Sequence, residues 1–200
     1  KSGNLTETDI ASWIEGYIRC ESQYTRPKQV KSNNPVFDQI EHVTVDELNA
    51  GQFELVPLQV STDTQILLNS DVDNVQLIKR IMTDTQYADR QIVIKFHPGD
   101  LPESILKIYE LIKSDERFIV CQSSIIPLIL KCKHVTAINP TVGLQALLLD
   151  KPVEFFGRTI YSRMTHKSAH QFVQFHLKNI DYFDNEALTR EQIDEILILE

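Results

Sequence analysis

The chain has 200 residues, enough for one domain with attached helices and for a sizeable core. It is 42% hydrophobic and 24% charged, an ordinary globular balance, and its net charge of -8 lacks the basic clusters of a phosphate-tracking surface, so nucleic acid is excluded as a partner. No apolar run is long enough to span a bilayer, and the start at Lys1-Ser2-Gly3-Asn4 is neither a signal peptide nor an initiator Met, which implies a piece excised from a longer protein.

In chain order, residues 5–20 read as a helix, with Thr6 or Thr8 as N-cap and Ile10, Trp13, Ile14, Tyr17 and Ile18 on one face. Residues 21–50 are polar and dotted with Pro27 and Pro35, and read as a connecting segment. From Phe53 onward strands and helices alternate. Strands are expected at 53–60, 91–96, 118–121, 135–138 and 153–156. Helices are expected at 73–86, 102–113, 125–132 and 141–149, then at 166–180 and 190–199. Val75, Ile78, Ile81 and Met82 mark the inner face of the first helix of this series, and Pro102 with Glu103 makes a favourable start to the second. The strands are continuous apolar runs rather than alternating ones, which suits a parallel sheet covered on both faces. Repeated βα units imply an α/β, doubly wound, mainly parallel Rossmann-like sheet with flanking terminal helices. Ligands of such sheets bind at the carboxyl ends of the strands.

That rule selects the candidate residues. His97 ends a strand and can donate a hydrogen bond to phosphate, or simply cap the turn before Pro98. Lys95 lies beside it. The turn Pro140-Thr141-Val142-Gly143 opens straight into a helix that carries Gln145. A helix start gathers backbone N–H groups and suits an anion. Thr141 can cap the helix or give its hydroxyl to a ligand. Gly143 allows close approach of a ligand or a tight strand–helix contact. Gln59 and Asp63 come after the first strand, and Asp63 can act as base or nucleophile, or cap a turn or the segment after it. Ser123 and Ser124 can touch a base or ribose, or cap a helix. Arg158 can pair with an anion or sit at the surface.

Other patterns are negative. GxxxxGK[ST] and GxGxxG are absent, so no nicotinamide or flavin cofactor is expected. Cys20, Cys121 and Cys132 form no CxxC pair and read as reduced, inert thiols. His166 and His170 have i, i+4 spacing without a HExxH carboxylate, and His134 falls at the amino edge of the sheet. No metal site is expected from these spacings.

Three blocks then stand out in order. They are Leu55-Val56-Pro57-Leu58-Gln59 with Asp63, Ile94-Lys95-Phe96-His97-Pro98-Gly99, and the stretch from Asn139 through Lys151-Pro152-Val153 to Gly157-Arg158-Thr159-Ile160-Tyr161. Together they resemble the bacterial capsule-polysaccharide glycosyltransferases that use 3-deoxy-manno-octulosonic acid (Kdo), and the related β-Kdo transferase modules of O-antigen polymerising proteins. The chain departs from that pattern in three places. Pro140 stands where many members have Ser, Gln145 where many have Glu, and Asp150 where many have Gly.

The resemblance implies a two-Rossmann-domain enzyme that is retaining and takes CMP-β-Kdo as donor, with no further cofactor or metal. Asp63 would be the nucleophile. His97, Lys95, the 140–143 turn, Gln145, Ser123, Ser124, Gln59 and Arg158 would hold the donor. It also implies three parts: residues 1–50 leading from an N-terminal Rossmann-like domain, 51–162 binding the donor nucleotide, and 163–200 packing on it or crossing to the partner domain. The acceptor would be a glycan or lipid-linked glycan, met in the cytoplasm at the inner membrane surface. Two other readings of the residues are a UDP-sugar-dependent transferase or epimerase, and a non-catalytic nucleotide-binding module.

Overall fold

Five short, mostly apolar segments build the sheet. The computed structural model describes residues 34–176. The strands are β1 (Phe53–Pro57), β2 (Gln91–Lys95), β3 (Phe118–Val120), β4 (His134–Ala137) and β5 (Val153–Phe155). All four pairings are parallel, in the order β3-β2-β1-β4-β5. Every residue of β1 is buried, as a central strand with both faces covered requires. The chain winds from β1 outward to β3, then crosses back to β4 and β5. The winding therefore reverses between β1 and β4, and a crevice opens there at the carboxyl edge.

Among the described residues the α-helices are α1 (Thr64–Asn69), α2 (Asn74–Thr83), α3 (Pro102–Ile112), α4 (Ile125–Lys131), α5 (Thr141–Leu148) and α6 (His166–His176). Leu77, Ile78 and Ile81 of α2 join Ile105, Ile108 and Ile112 of α3 against Val56, Ile92 and Ile94 on one face of the sheet. Ile126, Leu128 and Ile129 of α4 and Ala146 of α5 cover Leu55, Val93 and Val135 on the other. Start signals act locally. Asp73 and Gln76 form a reciprocal capping box at the head of α2, and Pro102 occupies the first turn of α3. The chain thus forms the doubly wound parallel sheet expected of its sequence.

Helix α6 docks on α5 through Ala169, which packs with Leu144, Leu147 and Leu148. Ring nitrogens of His166 and His170 meet the carbonyls of Leu147 (2.8 Å) and Leu148 (3.2 Å). The i, i+4 histidine spacing therefore serves a helix–helix joint. Cys121 and Cys132 are free and buried, and burial pushes the Cys132 thiol up to about 12. The helices expected at 5–20 and 190–199, and Cys20, lie outside the described residues.

Two elements differ from expectation. Residues 34–50 do more than connect. Val36, Ile40 and Leu48 are buried, Val43 forms a parallel bridge to Cys121, and the Val43 N–H donates to Val120 O at 2.9 Å. Short 3₁₀ turns at Pro35–Gln39 and Val45–Glu47 hide this packing from a periodicity reading. Helix α1 is also unexpected. Only Ile66 of its residues is buried, while Leu67 and Leu68 are 64% and 72% exposed, so it shows no helical apolar stripe. No helix of the described residues is long and apolar enough to cross a membrane.

Candidate functional site

The loops after β1, β2 and β4 meet at the carboxyl edge. After β2, the chain turns at Pro98-Gly99, and the Gly99 N–H donates to His97 Nδ1 at 3.0 Å. A nitrogen that accepts cannot carry the proton, so the neutral ring holds it on Nε2. The His97 pKa is lowered. Crowding by neighbouring atoms, although the residue keeps its exposure, is the largest cause. The Lys95 charge adds to it, and Asp100 and Asp63 oppose it. His97 is thus an exposed, neutral N–H donor that feels the charges of Asp100 and Asp63.

The loop after β1 is tied to the loop after β2. Buried Asp100 accepts from the Ser61 N–H at 2.8 Å and from its own neighbour Leu101 N–H at 2.9 Å. The Ser61 and Ser104 hydroxyls lie 3.1 Å apart. Asp63 is the N-cap of α1, its Oδ1 accepting the Gln65 N–H at 2.8 Å. Its Oδ2 accepts from Gln59 Nε2 at 3.2 Å.

Gln59 is 6% exposed and its amide is fully engaged. Besides Asp63, Nε2 donates to Asn139 Oδ1 at 3.1 Å, and Oε1 accepts the Asn139 backbone N–H at 3.2 Å. Both amide hydrogens are spent within the protein, so Gln59 has none to give a donor nucleotide. The Asn139 side chain in turn donates to Gln65 O at 2.9 Å. This amide pair joins the ends of β1 and β4 across the point where the winding reverses.

The 140–143 turn starts α5 as expected, with different roles inside it. Pro140 is the N-cap, Thr141 is the exposed first helical residue, and no side chain caps the helix. The Gly143 N–H turns back to Pro140 O at 3.0 Å, and the Thr141 and Val142 N–H groups before it have no side-chain cap, which suits an anion. Gly143 is buried, and a Cβ there would lie 2.2 Å from the Phe155 ring. The glycine serves the packing of β5 on α5, not the approach of a ligand. Val142 packs with the core, and Gln145 sits half-buried on the same helix.

Ser123 and Ser124 come after β3. Ser123 Oγ accepts the Val45 N–H at 2.9 Å, and exposed Ser124 heads α4 without a side-chain cap bond. Arg158 turns toward α1: it pairs with Asp71 at 3.0 Å and donates to Leu68 O at 3.3 Å. Asp71 and Asp73 are therefore divided between Arg158 and the cap of α2. Asp150, in the turn after α5, has a left-handed φ of 55°, a conformation that favours glycine.

Sequence reasoning missed Asp100 and the tie between Asn139 and Gln59, because the partners lie on other loops. It also missed a polar cluster at the opposite edge of the sheet. Glu54 on β1, 2% exposed, accepts from Thr136 Oγ1 (2.5 Å), from His134 Nδ1 and from Arg90 Nη1 (2.8 Å). Tyr87 donates to Glu154 at 2.7 Å alongside. Burial acts to raise the Glu54 pKa, but the bonds from His134, Thr136 and Arg90 together bring it below the usual value. A charged residue inside the apolar run 53–57 was the available signal.

A parallel, doubly wound sheet flanked by helices on both faces, with a carboxylate and an uncapped helix start at its switch point, defines a Rossmann-like fold. The particular family emerges from comparison. The family model described as "Capsule polysaccharide biosynthesis protein" matches residues 14–179, and the chain belongs to that family. The "Capsule polysaccharide modification protein LipB" of Neisseria meningitidis serogroup A is 32% identical over 127 residues, covering 56% of this chain. Its serogroup B counterpart matches to the same extent. The matched stretch spans 29% of the length of these curated relatives. Among solved structures, "Thermosulfurimonas dismutans KpsC, beta Kdo 2,7 transferase" aligns with a TM-score of 0.47 at 19% identity, over 96% of this chain and 54% of that one.

Proposed function

We propose that this chain is the donor-nucleotide half of a two-Rossmann-domain glycosyltransferase. It moves Kdo from CMP-β-Kdo to a glycan or lipid-linked glycan acceptor in capsule or O-antigen biosynthesis. Membership of the capsule biosynthesis family supports the setting, and the order of the Asp63, His97 and Asn139–Tyr161 blocks supports the donor. The observation that carries the reading is Asp63, bonded through Gln59 to Asn139 across the switch point, with the exposed His97 ring at the end of the neighbouring strand, its Nδ1 accepting the Gly99 N–H so that Nε2 carries the proton.

In this reading the Nε2–H and the start of α5 hold the phosphate or the sugar carboxylate. Asp63 attacks the anomeric carbon, the bond from that carbon to the CMP phosphate oxygen breaks, and CMP leaves with the electron pair. The acceptor hydroxyl then displaces Asp63 from the opposite face and loses its proton to solvent or a base. Two inversions retain configuration. CMP leaves with a single phosphate, so the chemistry needs no cation to bridge two. The acceptor site belongs to the partner Rossmann-like domain, which works in the cytoplasm, peripheral to the inner membrane.

The test is transfer from CMP-Kdo by the intact enzyme to candidate acceptors, with NMR of the new linkage and calorimetry with CMP and UDP-sugars. CMP binding and a β-Kdo product are expected. Binding of UDP-sugars without CMP sinks the donor assignment.

A further inference from the structure

We infer that Gln59 and Asn139 are positioning residues that aim the Asp63 carboxylate and lock it to the end of β4. The inference rests on the reading of Asp63 as the reacting carboxylate. Asp63 lies in a loop of the exposed edge, yet neither of its oxygens is left to orient itself. Oδ1 is fixed by the Gln65 N–H and Oδ2 by Gln59 Nε2. An N-cap needs only the first of these bonds. The second comes from a side chain that is itself held by two bonds to Asn139, on a residue whose backbone is also tied down. Gln59 Nε2 also donates to Asn139 Oδ1, Oε1 accepts the Asn139 N–H, and the Gln59 carbonyl accepts from Asn74 Nδ2 at 2.7 Å.

Asn139 is equally confined. Its side chain donates to Gln65 O at 2.9 Å, and Gly157 lies so close that an added Cβ would stand 3.0 Å from Asn139 Nδ2. The two amides therefore close a loop: Gln59 holds Asp63, Asp63 caps α1, and α1 is held by Asn139, which is bonded back to Gln59. The link joins residues 80 apart at the one place where a ligand of this fold binds. Because Asn139 immediately precedes the turn that starts α5, the same strut fixes the distance between the carboxylate and the phosphate-facing helix start. Fixing a nucleophile against its leaving group lowers the barrier by holding a near-attack geometry.

Two variants of the intact enzyme test this. Gln59→Glu keeps size and the acceptor toward the Asn139 N–H but loses both amide hydrogens. Gln59→Met keeps size and loses every bond. With CMP-Kdo, kcat falls about 100-fold in either, while donor KM and CMP affinity stay within about threefold. Lowering the pH restores part of the kcat of Gln59→Glu, because the protonated carboxyl regains an O–H donor, and restores nothing in Gln59→Met. A merely structural defect does not reproduce that split. Wild-type kcat in either folded variant, or no acid recovery in Gln59→Glu, overturns the inference.

Crystal structures of the variants read it without any donor. The Asp63 carboxylate is expected to leave its place, and an unmoved Asp63 overturns the inference. If the wild type moves no Kdo but Asp63 swings in the variants, the donor assignment falls and the positioning role stands. Should Gln59→Glu not fold, Gln59→Met still carries the kcat and structural measurements.

Discussion

The two edges of the sheet hold similar chemistry under opposite rules. At the amino edge His134, Thr136 and Arg90 all bond to the Glu54 carboxylate, which is sealed from water. At the carboxyl edge His97 and Asp63 stay reachable, while the amides behind them are buried and bonded. Polar groups that satisfy each other contribute to the fold. Polar groups held by others but left facing outward are set for a ligand. Each edge has a histidine near carboxylates, and the outward donor of His97 separates one from the other.

Substitutions at the two edges should therefore differ in kind. The largest effect is expected for Asp63→Ala in the intact enzyme, with transfer down on the order of 10³-fold or more. Stability should fall by only ~1 kcal/mol for the lost cap. Unchanged transfer removes Asp63 from catalysis.

Glu54→Ala should do the reverse, costing about 3 kcal/mol in denaturant unfolding by leaving buried partners unmatched. Its pH dependence has a definite sign. The folded pKa lies below the ordinary 4.5, so the Glu54 contribution is complete above pH 4.5 and is lost as pH falls through the folded value. Wild type should lose stability in that acid window faster than Glu54→Gln. Parallel curves for the two proteins would dissolve the contrast between the edges.

Gly143→Ala should destabilise by about 2 kcal/mol, because the Phe155 ring must shift. CMP affinity of the folded fraction should hold, and a selective loss of affinity would return Gly143 to the ligand. His97→Ala should weaken CMP binding about tenfold (~1.4 kcal/mol) with melting unchanged. Wild-type affinity in the folded variant would refute a ligand role for His97. The smallest effect is expected for Asp150→Gly, a gain of about 0.5 kcal/mol from relief of the left-handed backbone, read by thermal melting.

The sheet was legible because its strands are mostly apolar without strict alternation, and in the central strands β1 and β2 that pattern is set by burial on both faces. His97 and Asp63 were legible as strand ends. The amide strut was not, since Gln59 and Asn139 meet only after β1 and β4 pair. Helix α1 was hidden for a related reason: Asp63, Asn139 and Arg158 hold it, not an apolar stripe of its own. Arg158 looked like an anion ligand because its partner Asp71 lies 87 residues away. Asp150 was the reverse case, a departure from a glycine pattern that the positive φ explains.

The bridge from Val43 to Cys121 bears on how the protein behaves in concentrated solution. β3 ends the sheet, and a bare terminal strand is a template for adding a strand from another molecule. Val43 occupies the hydrogen-bonding position beside Val120, and the Lys131 ammonium group fastens the Val45 carbonyl at 2.8 Å. The leading segment thus works as a guard along that rim. Val43→Pro, which removes the N–H that donates to Val120 O, should bare that rim and raise light scattering where the wild type stays clear.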